Sequence, residues 1–121
     1  MELCSTLSLD GSDWEMKDFV GLDWVWRDSV KPDTRDSRWW RPATVPGSIL
    51  HDLWRQSAVP DPYFECNSLL VEWVPARSWV LRKWFAGPAD QSSQPGAANP
   101  AIATLVFQGI DYAGEIFLNG V

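Results

Sequence analysis

Sixteen aspartates and glutamates in a chain of 121 residues make paired carboxylates the first chemistry to weigh. Two carboxylic groups about 5 to 5.5 Å apart, one serving as acid/base and the other as nucleophile, can cleave a glycosidic bond with retention. Asp61 and Glu65, which flank a proline-rich loop, are the one pair to consider. An aspartate beside Pro62 reads more simply as a turn residue, and Glu65 as a solvated side chain. His51 would need a nucleophile and an orienting partner to act as a general base, and no residue pattern identifies either, so a surface or helix-packing histidine is the simpler reading.

Other chemistries fail on spacing. Gly47-Ser48 lacks the flanking glycines of a nucleophile elbow, and the stretch from Gly109 to Gly114 has no following Lys-Ser/Thr for a phosphate loop. Cys4, Cys66 and a single histidine do not make a zinc set, and the two cysteines are expected as thiols rather than a disulfide. No metal and no cofactor is expected. A net charge of −6 argues against nucleic acid or an anionic membrane as partner, since both need clustered Lys and Arg. No run approaches the roughly 18 apolar residues of a membrane span. The start, MELCSTLSLDGSDW, lacks a basic region followed by an apolar core, which places the expected product in the cytoplasm.

The elements that must position these residues centre on residues 39–85, which hold six of the nine tryptophans. Pro46-Gly47 ends an extended run, Ser48 is placed to cap a helix, and Ile49, Leu50, Leu53 and Trp54 fall on one face of it. The other face is polar: His51, Asp52, Arg55 and Gln56. A second short helix is expected to be capped by Asn67, to bury Leu69, Leu70, Trp73 and Val74, and to stop at Pro75. Each is about two turns long, so both must lie on a larger apolar surface. Between them, Pro60 and Pro62 hold residues 59–64 extended. Residues 78–85 alternate as a strand.

Upstream, residues 2–9 alternate as a first strand, Asp10-Gly11 makes a turn, and residues 14–16 return as a second. Trp24 and Trp26, two apart, would share one face of an extended segment and read as core aromatics rather than a sugar platform. Residues 28–38, with alternating charge, read as a solvated loop. Downstream, residues 88–100 are expected as a flexible loop between strands, residues 101–108 and 114–118 as further strands, and Asn119-Gly120 as a two-residue hairpin turn that needs positive φ at both positions. Hydrophobic content of 45% against 21% charged residues suits one globular domain.

The order of Trp40, Ala43, Val45-Pro46-Gly47-Ser48, His51-Asp52-Leu53, Val59-Pro60-Asp61-Pro62-Tyr63, Asn67, Trp73-Val74, Trp79, Arg82 and Phe85 resembles the N-terminal domain of family 2 glycoside hydrolases, most closely the β-mannosidase branch. Leu105, Phe107, Gly109-Ile110-Asp111, Ala113, Ile116 and Leu118-Asn119-Gly120 continue it. Ordered agreement over most of the chain is far more specific than one short motif. Ser68 stands where the family usually has an acidic residue, and Leu81 where a tyrosine is common.

The resemblance implies an all-β, galactose-binding-like jelly-roll β-sandwich with two short helices, with residues 1–121 as its N-terminal part and further strands to follow. The implied activity is retaining hydrolysis of terminal β-mannosides. Both catalytic glutamates would lie in a downstream barrel domain that residues 1–121 do not include, so no catalytic residue is expected here. Asp61, Tyr63 and Asn67, in the loop that lies near the barrel's active site in family members, would help to shape the sugar pocket. The partners implied are the terminal β-linked sugar and that barrel. A β-glucosaminidase, β-galactosidase or β-glucuronidase of the same family shares this domain. A free-standing carbohydrate-binding module is the reading from outside the enzymes, and it expects exposed aromatics spaced for sugar rings.

Overall fold

The computed structural model describes residues 6–87 and 102–121. They fall into two compact units, the larger built from residues 9–84 and 117–121. Its centre is a three-stranded antiparallel sheet in the order β2-β1-β3, with β1 at Gly11–Phe19, β2 at Arg41–Val45 and β3 at Ser78–Arg82. β1 pairs Trp14 with Ala43 and Met16 with Arg41 on one side, and Met16 with Leu81 and Asp18 with Trp79 on the other. The β1–β2 register shifts between Gly11 and Trp14, where Gly11 begins the strand at φ 145°, a conformation that suits glycine.

Because side chains alternate along a strand, each face of this sheet has its own chemistry. One face carries the core: Met16, Ala43, Leu53, Val59, Val71 and Val74 are buried, with Trp14, Ile49, Leu50 and Trp79 packed against them. Two of the tryptophans keep their indole N–H bonded at the edge of that core. Trp14 donates to the Leu9 carbonyl at 2.7 Å and Trp79 to the Val74 carbonyl at 2.8 Å, so their ring area is buried without stranding a polar atom.

The opposite face is built from charge against aromatic rings. The Lys17 ammonium, buried, pairs with Asp36 and lies 5.2 Å from the centroid of Phe19. Ser29 donates to the second Asp36 oxygen at 3.0 Å, and the Trp40 indole N–H donates to the Asp36 carbonyl at 2.7 Å. Beside it, Arg82 pairs with Glu15 at 2.8 Å and stacks 3.6 Å from the centroid of Trp40 and 4.5 Å from that of Trp84. The solvated loop expected at residues 28–38 is therefore only partly solvated, because Ser29 and Asp36 turn inward to satisfy a buried ammonium.

Several expected elements differ. The strand expected at residues 14–16 extends over Gly11–Phe19, and residues 6–9 are not in a strand. Trp24 and Trp26 are not extended but lie in α1, Asp23–Trp26, entered through Gly21 at φ 56°. The helical turn separates them: Trp24 meets Phe117 edge-on at 5.9 Å, while Trp26 is exposed. The second expected helix is a 3-10 turn at Asn67–Val71 whose cap is Cys66, without a side-chain bond, and Leu69 and Leu70 face solvent. Three residues per turn rotate the apolar stripe away from the core faster than an α-helix would, leaving Val71 and Val74 to carry the contact.

At Asn119-Gly120 both φ angles are positive, 53° and 81°, and Leu118 and Val121 exchange backbone hydrogen bonds of 3.0 and 3.2 Å, the closed two-residue turn that the dipeptide favours. In the smaller unit, residues 102–116 form no strand, although residues 101–108 and 114–118 were expected as strands. Alternation makes a segment competent for a sheet, but a ladder also needs a neighbouring edge. The loop expected at residues 88–100 lies outside the described residues, as do residues 1–5 with Cys4. No helix among the described residues is long and apolar enough to cross a membrane.

Candidate functional site

The loop carrying Asp61, Tyr63 and Asn67 is positioned by α2, Ile49–Arg55, and α2 is tied to β2 at both ends. Gly47 makes the turn between them, and its neighbour explains the residue type: a Cβ there would sit 2.6 Å from the Thr44 carbonyl oxygen. Ser48, extended at φ −129° and ψ 145°, accepts the His51 backbone N–H at 3.2 Å, as the sequence leads one to expect of this cap. Asp52, buried, accepts the Thr44 N–H at 2.9 Å. At the far end the Gln56 amide donates to the Pro42 carbonyl at 2.7 Å. Leu53 faces the core, which turns His51 and Trp54 outward.

The helix closes through Ser57 at φ 57°, with Ala58 N–H bonded to the Leu53 carbonyl at 2.9 Å, and Val59 then anchors the loop in the core. Asp61 accepts the Tyr63 N–H on Oδ1 at 2.9 Å, and its carbonyl accepts the Phe64 N–H at 3.2 Å. This is a turn held by its own aspartate, with prolines on both sides. The Phe64 carbonyl accepts the Asn67 N–H at 3.1 Å, which carries the loop into the 3-10 turn.

Asp61 and Tyr63 are thus brought together by a hydrogen bond. Asn67 follows through the backbone of Phe64, and its side chain has no hydrogen-bond partner among the described residues. Tyr63 is 88% exposed, while Asp61 and Asn67 are half-buried. Glu65 is exposed and makes no ion pair or hydrogen bond with Asp61 among the described residues, and Asp61 has the turn role. Cys66 is an exposed thiol.

Two shallow concavities open beside this loop. The larger, of about 450 Å³, is lined by Trp54 and residues 57–61. The smaller, of about 40 Å³, lies between α2 and the loop, with His51, Trp54, Pro62 and Tyr63 in its wall. Trp54 borders both. Its helical position beside Ile49, Leu50 and Leu53 pointed to burial, yet it is 36% exposed and meets the His51 ring edge-on at 5.7 Å. Asp52, expected on the polar face of α2, is buried instead. Its acceptor role depends on Thr44, eight residues away on β2, and nothing local signals it.

The model for glycosyl hydrolase 2 galactose-binding domain-like sequences matches residues 20–121. Beta-mannosidase B of Thermothelomyces thermophilus is 32% identical over 98 residues, covering 81% of this chain and 10% of that protein. Beta-mannosidase of Bos taurus is 34% identical over 80 residues, covering 66% of this chain and 8% of that protein. Beta-mannosidase B of Neosartorya fischeri is 32% identical over 97 residues, with 80% and 10% covered. The chain thus spans about a tenth of the length of these curated relatives. No solved structure gives a significant match. A match over residues 20–121 and relatives of this kind agree with the ordered motifs and the all-β sheet: the chain belongs to the glycosyl hydrolase 2 galactose-binding domain-like family.

Proposed function

We propose that this chain is the N-terminal, non-catalytic part of a retaining glycoside hydrolase that removes terminal β-linked mannose. The observation that carries this reading is the similarity to beta-mannosidases across four fifths of the chain, which includes the loop of Asp61, Tyr63 and Asn67. Its relatives are some ten times longer, which leaves room for a downstream barrel to supply the acid/base and the nucleophile. The part described here buttresses that barrel and closes one wall of a pocket for a single terminal sugar. Tyr63 presents its phenol to solvent and Asn67 an uncommitted amide, so both have hydrogen-bonding capacity for sugar hydroxyls.

The test is hydrolysis of p-nitrophenyl β-mannopyranoside by the complete enzyme, with NMR of the anomer released first. Release of β-mannose supports the reading, and no hydrolysis of β-mannosides removes it. For the pocket wall, Asn67→Ala is expected to lower kcat/KM about 2- to 12-fold, the value of one hydrogen bond. Unchanged kcat/KM for every glycoside tried would end the role assigned to Asn67.

A further inference from the structure

Trp54 is not among the residues through which the chain resembles its family, and its position is unusual for a tryptophan on a seven-residue helix packed against a core. Its indole forms the ridge between the two concavities, with the Asp61 turn on one side and His51, Pro62 and Tyr63 on the other. The side chains nearest it retain free polar capacity. Asp61 uses Oδ1 for the Tyr63 N–H, and Oδ2 has no partner among the described residues. The His51 ring meets the indole edge-on, and its nitrogens make no hydrogen bond among the described residues. By contrast, Trp40 and Trp84 clasp a guanidinium already paired to Glu15, so their polar partner is committed.

We propose that Trp54 is the stacking wall of a pyranose subsite, with the Asp61 carboxylate as a ligand for the sugar's hydroxyls. This rests on the glycosidase reading above and adds to it the surface that grips the ring. A pyranose has an apolar face of C–H bonds and an edge of hydroxyls, and it is matched by one flat indole with a carboxylate acceptor at its border. The larger concavity is shallow and open to solvent, so a single ring can lie against the indole without being enclosed. A protein partner would instead favour a broad contiguous apolar patch without polar groups left uncommitted beside its aromatic.

The test compares Trp54→Leu and Trp54→Phe with the wild type in the complete enzyme, using p-nitrophenyl β-mannopyranoside. Loss of the aromatic face is expected to raise KM about 2- to 12-fold with kcat changed less, and Trp54→Phe is expected to recover most of the loss. A second readout does not depend on turnover. Titration with methyl β-mannopyranoside, followed through the indole N–H signals by NMR, should move the one signal that Trp54→Leu abolishes. If the wild type hydrolyses mannosides while the Leu variant keeps its KM and that signal stays still, the subsite is overturned and the glycosidase reading stands. If no β-mannoside is hydrolysed, the glycosidase reading fails, and movement or stillness of the Trp54 signal alone decides whether the subsite stands.

Discussion

Replacing Lys17 with methionine isolates the pairing that holds residues 28–38 to the sheet. Methionine keeps the aliphatic stem but removes the ammonium, and with it the cation–π contacts with Phe19 and Trp40, and it strands Asp36, whose side chain is 10% exposed. Breaking a buried pair from one side typically costs about 3 to 5 kcal/mol. A limit applies here, because Asp36 can escape by taking a proton. From an ordinary carboxyl pKa of about 3.9, that escape costs about 4 kcal/mol at pH 7 and about 1.4 kcal/mol less for each pH unit below. The penalty of Lys17→Met is therefore expected at about 3 to 5 kcal/mol at pH 7 and smaller by up to about 2.8 kcal/mol at pH 5.

The wild type responds to pH in the opposite sense. Burial by itself would raise the Asp36 carboxyl, but the Lys17 ammonium and the Ser29 hydroxyl, with Arg27 nearby, outweigh it and hold the carboxyl below its usual value. A depressed folded pKa contributes stability above the unfolded value of about 3.9 and loses it as pH falls through the folded value. Urea unfolding followed by tryptophan emission reads both trends as midpoints. The double variant Lys17→Met/Asp36→Asn should recover most of the loss, since no charge is left buried. An equal penalty at pH 7 and pH 5, or a double variant no more stable than the single one, would refute the reasoning.

Asp52→Ala removes the acceptor of the Thr44 N–H and is expected to lower unfolding free energy by about 1 to 3 kcal/mol, measured by the same urea midpoints. Gly47→Ala forces a methyl group to within 2.6 Å of the Thr44 carbonyl oxygen, so the turn must open. A loss of about 1 to 3 kcal/mol is expected, whereas Gly21→Ala meets no neighbouring atom and strains only its own φ of 56°. Ser48→Ala should cost about 1 kcal/mol and Ser48→Asp much less, because aspartate can take over the cap, a difference that thermal midpoints would resolve.

What could be read from the sequence was what is decided within a few residues. The cap of α2 joins positions 48 and 51, the Asp61 turn joins positions 61 and 63, and the Asn119-Gly120 turn closes on itself. In each, one short side chain or one pair of φ angles is sufficient cause, so residue type and spacing state the outcome. The strands β2 and β3 were legible for a related reason: residues 41–45 and 78–82 end at Pro46 and follow Pro75, and both find β1 as a partner. Residues 102–108 alternate just as well and form no strand, because alternation describes the segment and a ladder describes a pair.

The polar residues show the same limit from the other side. Asp36 and Asp52 look like any surface aspartate, and each is inward-facing because of a donor on β1 or β2. Glu15 and Arg82 are 67 residues apart, and their bond exists only because β1 and β3 lie in register at those two positions. Trp54 is the case that bears on function. With Ile49, Leu50, Leu53 and Trp54 on a helix of seven residues, the apolar arc is wider than the surface available to cover it. Leu53 occupies the centre of the contact, so the residue at one margin must be left to solvent, and the sheet decides which. The family resemblance is silent on Trp54, and periodicity placed it in the core. Only the packing of α2 on β2 turns it outward beside the Asp61 loop, where a sugar could reach it.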